Sequence, residues 1–198
     1  DIAHDSSSTL SDDVTLVVFN AKPINISTFR KADEGLPSVH EIALNASHLK
    51  QPDTLQRILQ LAGQCEGIQN IRSVLYTVLT ELFNNALDHG ILKLESKVKT
   101  DSEGFHQYYA ERDASLKALS HGRINIRIES LPSEGKVLLQ VQDSGEGFSW
   151  DRGRTLSVQN NGQELSHGRG LPLIHALCEK VWFEDGGKKV ICLLDTEY

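Results

Sequence analysis

Apolar residues recur at every third or fourth position through Val74, Leu75, Val78, Leu79, Leu82 and Ala86. That spacing predicts one buried face of a long helix from Ile68 to about Leu94, broken near His89-Gly90. A shorter helix opens at Pro52-Asp53, carries Leu55, Ile58, Leu59 and Ala62 at helical spacing, and stops near Gly63. Alternation takes over in Val39–Ala46, Ile124–Ile128 and Val137–Val141, which read as strands, the last two joined by a turn through Pro132 and Gly135. Phe105, Tyr108, Tyr109, Leu116 and Leu119 mark one inserted helix within residues 95–121, packed on the body. Leu171–Val181 reads as a helix, Trp182-Phe183 starts a strand, Gly186-Gly187 turns it, and Val190–Leu194 returns. Ahead of all this, residues 1–11 are polar and Ser-rich and predict a flexible lead-in. Asp12-Asp13 then enters a strand ending at Phe19, and residues 20–37, with Pro23, Gly35 and Pro37, read as a linker with one short strand at Ile24–Arg30. The pattern predicts an α/β protein, a two-layer sandwich of a mixed, mostly antiparallel sheet and helices.

Composition narrows the function classes. A length of 198 residues with 39% hydrophobic positions suits one domain with an appendage and a sizeable core. Twenty basic residues against 27 acidic ones leave a net charge of −7, without a basic block, which argues against nucleic acid as a partner. No apolar run of 18 residues and no signal peptide is present, so no membrane span is expected. Cys65, Cys178 and Cys192 are far apart in apolar surroundings, as buried free thiols of a reducing cytoplasm would be. A chain that does not begin with Met is expected to be a fragment of a longer protein or a processed product.

Three stretches carry chemistry. In Thr80-Glu81-Leu82-Phe83-Asn84-Asn85-Ala86-Leu87-Asp88-His89-Gly90, Glu81 and Asn85 stand four residues apart on one helix face. A carboxylate there can take a proton from a hydroxyl, and an amide oxygen is a hard ligand suited to Mg²⁺. The same pair is also what a solvated helix face looks like. His89 reads as a capping or packing residue, and Trp150 and Trp182 as packing or lid anchors. The strand ending at Val141 runs into Asp143-Ser144-Gly145-Glu146-Gly147. Asp143 can accept from an exocyclic amine such as adenine N6, and Gly145 and Gly147 leave room for a flat ring; acid-and-glycine turns of no such purpose are common. His167-Gly168-Arg169-Gly170-Leu171 precedes a helix, where free backbone N–H groups and the helix dipole favour phosphate.

Together and in this order, the stretches resemble the asparagine box and the two glycine boxes of the GHKL ATPase superfamily, whose Bergerat fold would cover roughly residues 37–196. The resemblance implies ATP and Mg²⁺ as cofactors. Asn85 matches the asparagine that binds Mg²⁺ and the nucleotide, and Glu81 the catalytic base. Asp143 matches the adenine-binding aspartate, with Gly145 and Gly147 beside it. Gly168, Arg169, Gly170 and Leu171 match the phosphate-side turn, and residues 148–167 the ATP lid. The compact E-x-x-x-N-A-x-x-H-G box is most similar to the anti-sigma-factor serine kinases of the RsbW/SpoIIAB branch, often homodimers. Asp-Asp-x-Thr and the strand after it resemble the end of a PP2C-type (SpoIIE-like) phosphatase domain, implying a phosphatase tail in residues 1–20, a linker over 21–36 and the kinase domain over 37–198. Such an order is similar to the HsbR-type response-regulator–phosphatase–kinase fusions of bacteria. The resemblance implies a cytoplasmic serine protein kinase that phosphorylates a STAS-domain anti-anti-sigma factor in a partner-switching pathway, with an anti-sigma or sigma factor as a further partner. A nucleotide-binding, anti-sigma-type docking module without significant kinase activity stays open as the alternative.

Two positions depart from the branch. Where a lid arginine stands two residues before the first glycine of the last box, this chain has Ser166, with Arg152, Arg154 and Arg169 as substitutes. Where the branch has Gly-Thr near the last hairpin, this chain has Gly187-Lys188.

Overall fold

The alternating segments form one five-stranded sheet: β1 (Ser38–Asn45), β2 (Arg123–Leu131), β3 (Lys136–Asp143), β4 (Lys180–Glu184) and β5 (Lys189–Asp195). The computed structural model describes residues 35–94, 102–147 and 170–197. The expected phosphatase tail, nearly all of the linker, the lid with Trp150, Arg152, Arg154 and Ser166, and the turn residues Gly168 and Arg169 lie outside the described residues. Spatial order is β1-β2-β3-β5-β4, and among the described residues every neighbouring pair is antiparallel.

Period-two patterning decides which way each strand faces. In β2, Ile124, Ile126, Ile128 and Ser130 are buried, while Arg123, Asn125, Arg127 and Glu129 point to the other face. Val137, Leu139 and Val141 do the same in β3, with Ile126 opposite Val141 and Ile128 opposite Leu139. A one-residue slip would turn this whole apolar set to solvent, so burial fixes the register. Ser130 is tolerated inside because its hydroxyl donates to the Glu66 carbonyl.

Helices cover that buried face. A short helix, α1 (Ala46–Leu49), follows β1 directly, capped by Asn45, whose side-chain oxygen accepts from the Ser47 and His48 N–H groups at 3.0 and 3.2 Å. Helix α2 (Thr54–Ala62) buries Ile58 and Ala62 and ends at Gly63. Helix α3 (Arg72–Asn84) buries Leu75, Val78, Leu79 and Leu82 against the sheet, with Val74 at the edge of the core. The predicted break near His89-Gly90 comes earlier and is not a stop. From Asn85 to Ile91 the chain continues as a π-helical segment, in which the Leu92 N–H reaches the Leu87 carbonyl at 2.8 Å.

The inserted helix is α4 (Ser102–Ala118), with Tyr108 buried and Leu116 and Leu119 packed on the core. The last helix, α5 (Gly170–Leu177), is shorter than the Leu171–Val181 expected. Cys178 still donates to the Ile174 carbonyl at 3.0 Å, but Glu179 donates to the Leu193 carbonyl of β5 at 2.9 Å, so sheet bonds replace helical ones before Val181. Cys65 and Cys192 are buried and Cys178 half-buried, and all three are free thiols. Among the described residues no helix is long and apolar enough to cross a membrane.

Candidate functional site

Helix α3 presents Glu81 in its last turn, and Asn85 opens the π-helical segment one turn later; both side chains are half-buried. Their common neighbour is Gly170, the first residue of α5. A Cβ there would stand 2.5 Å from Glu81 Oε2 and 3.7 Å from Asn85 Nδ2. The asparagine box and the last residues of the second glycine box, distant in sequence, therefore meet, and a side chain at Gly170 would displace the Glu81 carboxylate from its present place. Leu171 turns inward and packs at the edge of the core.

Asp143 ends β3 on the same side of the sheet as Ile124, its register partner. Its main chain is fixed by donation to the Lys188 carbonyl at 2.9 Å, and its Oδ1 accepts from the Gly145 N–H at 2.8 Å. Next to it, the Ser144 N–H donates to the Arg123 carbonyl and the Ser144 hydroxyl accepts from the Arg123 N–H, both at 3.0 Å. Burial holds the Asp143 carboxyl above the ordinary aspartate range, outweighing the Gly145 N–H bond and the nearby Lys188 charge, which pull the other way. Lys188 thus brings a cation close to this carboxylate.

Gly90, absent from the sequence-based site residues, joins the two halves. A Cβ on Gly90 would fall 2.6 Å from Asp143 Cγ, and one on Gly145 would collide with the Gly90 carbonyl. The end of the asparagine box is thus seated on the Asp143 turn, backbone against carboxylate. Gly147, at φ +78°, takes a left-handed conformation, and a Cβ there would meet the Gly186 carbonyl and come within 2.9 Å of Lys188 Cγ. A second link missed from sequence is the ion pair between Lys93 and Glu146, which holds the Glu146 carboxyl below its usual range. The turn at Lys93, whose φ is +56°, points this cation from the end of the asparagine box toward the glycine box.

His89 has the capping role expected of it: Nδ1–H donates to the Leu94 carbonyl at 2.7 Å, closing the π-helical segment. Beside it, Asp88 is buried, and accepts from the Tyr108 hydroxyl at 2.6 Å and from Arg112 Nε at 2.7 Å. Burial first, then the Asp88 carboxylate, keep the Tyr108 phenol well above its usual range and therefore protonated as the donor.

A polar cavity of about 520 Å³ adjoins Asp143, lined by Arg123, Asn125, Gln142, Ser144, Asp185 and Lys188. Asn125 and Gln142 face each other in register on the sheet face away from the helices, so this hollow is not the space between Glu81, Asn85 and Gly170. Among the described residues no cluster of three His, Cys, Asp or Glu is suited to a metal ion. The donors on hand, one amide oxygen with a carboxylate a turn away, fit Mg²⁺, which keeps several waters and takes its other ligands from phosphate.

A search of the curated proteins found no match. Residues 45–193 match the model of the histidine kinase-like ATPase domain, a span that runs from the cap of α1 into β5 and includes Glu81, Asn85, Asp143 and Gly170. With the antiparallel sheet, the helical layer and these boxes in order, the chain belongs to the histidine kinase-like ATPase domain family.

Proposed function

We propose that this domain is an ATP- and Mg²⁺-dependent serine protein kinase of the RsbW/SpoIIAB branch. The observation that carries the reading is the convergence of Glu81 and Asn85 on Gly170, with Asp143 held against Gly90 at the other end of the same segment. Asp143 accepts from the adenine amine, and Gly145 and Gly147 leave space for the ring. Asn85 would hold Mg²⁺ through its amide oxygen, and the ion when bound would supply neutralisation of phosphoryl charge. Gly168, Arg169, Gly170 and Leu171 are assigned to the phosphates, with backbone N–H groups as the donors in this reading.

Glu81 orients the acceptor serine and takes its proton. The serine oxygen bonds to the γ-phosphorus, the bond from that phosphorus to the leaving ADP oxygen breaks, and the proton passes from serine to the Glu81 carboxylate and on to water. The substrate is a STAS-domain anti-anti-sigma factor in a bacterial partner-switching pathway. The cytoplasm is the compartment, residues 1–20 are the tail of a phosphatase domain in an HsbR-type fusion, and a homodimer and an anti-sigma or sigma partner belong to the same reading.

Glu81→Gln tests it. Phosphate transfer to the STAS partner should be abolished while ATP and partner binding persist, and Asn85→Ala should lose the Mg²⁺-dependent share of ATP binding. Transfer undiminished in Glu81→Gln would remove Glu81 as the base, and partner binding without any transfer in the wild type would leave a nucleotide-gated docking module.

A further inference from the structure

Among the described residues, Asp88 is the one buried carboxylate, and it sits three residues after Asn85 in the π-helical segment. A carboxylate inside a protein has to be paired and hydrogen-bonded. Both of its partners come from the inserted helix α4: Oδ2 accepts from the Tyr108 hydroxyl at 2.6 Å and Oδ1 from Arg112 Nε at 2.7 Å. Tyr108 and Arg112 stand four residues apart, on one face of α4. That face goes on through Leu116 and Leu119 onto the core, while Tyr109, one position off it, is 62% exposed.

The backbone of Asp88 is held as well, because its carbonyl accepts from the Leu94 N–H at 2.8 Å. Side chain and main chain of one residue thus fix the segment that begins at Asn85. The π-helical turn departs from the α-helical ladder of α3 and has its own bond from the Leu92 N–H to the Leu87 carbonyl, and the contacts of Asp88 tie it from outside to α4 and to Leu94.

We propose that Asp88, Tyr108 and Arg112 form a positioning clamp through which α4 sets the π-helical turn carrying Asn85, and with it the metal affinity of the nucleotide site. None of the three is a catalytic residue; they act through Asn85. The proposal rests on the reading of Asn85 as the Mg²⁺ ligand.

The test uses the full 198-residue chain, as wild type, Tyr108→Phe, Arg112→Gln, Arg112→Lys and Asn85→Ala. Hydrogen exchange of peptides covering residues 85–92 is read without ligand, and ATP affinity by calorimetry in Mg²⁺ and in EDTA. Tyr108→Phe and Arg112→Gln should speed exchange in that segment alone and weaken ATP about tenfold in Mg²⁺, a typical coupling between linked sites, with little change in EDTA. Arg112→Lys, which keeps the charge, should recover part of both. Exchange that rises equally in β2 and β3, or affinities that fall in proportion with and without Mg²⁺, would make the contact a general stabiliser and overturn the proposal. So would wild-type exchange and affinity in both variants. If Asn85→Ala leaves the Mg²⁺ dependence intact, the metal reading fails by itself, while local exchange still decides the clamp.

Discussion

Gly90→Ala adds one methyl group where the asparagine box meets the first glycine box. The backbone is not the obstacle, because Gly90 is not among the glycines at positive φ, and replacing glycine in a helical segment gains about 0.5–1 kcal/mol. Space is the obstacle. The new Cβ would lie 2.6 Å from Asp143 Cγ and Oδ1 and 2.8 Å from Oδ2, closer than such contacts can persist. The softest neighbour is the carboxylate, the free end of a side chain, so it swings away and gives up the 2.8 Å bond from the Gly145 N–H. Overpacking of this kind costs about 1–3 kcal/mol, partly offset by the glycine term, so stability should fall by about 0–2.5 kcal/mol and the domain should remain folded.

Binding should suffer more. A hydrogen bond to a charged group is worth about 1.5–3 kcal/mol, so a displaced Asp143 should raise the Kd for ATP by about ten- to a hundredfold. Calorimetry gives the affinity, and urea denaturation of the same preparation gives the stability. A Gly90→Ala protein that binds ATP as the wild type does would refute the chain of reasoning from Gly90 to Asp143 to nucleotide.

Two further outcomes follow from the same carboxylate. Because burial raises the Asp143 pKa, the folded protein binds this proton more readily than the unfolded chain, so this group's contribution to stability falls as pH rises from the ordinary aspartate value through the raised one; Asp143→Asn should remove that pH dependence and unfold at a higher urea concentration at neutral pH, which denaturation curves at several pH values would show. If Asp143 holds the adenine amine as proposed, ATP binding should run the opposite way in the wild type, weakening on acidification at a higher pH than an ordinary aspartate would dictate, since the ionised carboxylate is a stronger acceptor than the protonated one; an affinity flat down to the ordinary aspartate range would contradict this.

The sheet and the face of α3 were legible in the sequence because their periods are unmixed: β2 alternates from Ile124 to Ser130, and Leu75 to Leu82 recur at helical spacing. The π-helical segment was not, because a shift from i+4 to i+5 bonding leaves no mark on which residues are apolar, and the His89-Gly90 pair drew the break too late. The end of α5 is not legible because Leu177, Cys178 and Val181 keep an apolar pattern that either a helix or a strand can use, and only pairing with β5 decides. The short helix α1 has its sequence signal in Asn45 three residues before His48, a reciprocal cap.

The candidate site divides in the same way. Local chemistry left Glu81, Asn85, Asp143, Gly145, Gly147 and Gly170 ambiguous, and the order of the three boxes with the family resemblance singled them out; the fold brings Glu81, Asn85 and Gly170 together at one end and Asp143 with Gly145 at the other. Gly90 could not be singled out, since what it must avoid is the Asp143 side chain at the end of β3, far away in sequence. Arg112 offered a clue, a charged residue within the apolar face of Tyr108, Leu116 and Leu119, but its partner Asp88 is fixed only by how the inserted helix docks.

The central claim is that a nucleotide binds between Asp143 and the Glu81–Asn85 turn. Calorimetric titration of the wild type and Asp143→Asn with ATP, in Mg²⁺ and in EDTA, tests it most directly. Saturable binding that strengthens with Mg²⁺ and is lost in the variant, while the variant stays folded, is the predicted result. Equal binding by both proteins, or no binding by a folded wild type, would contradict it.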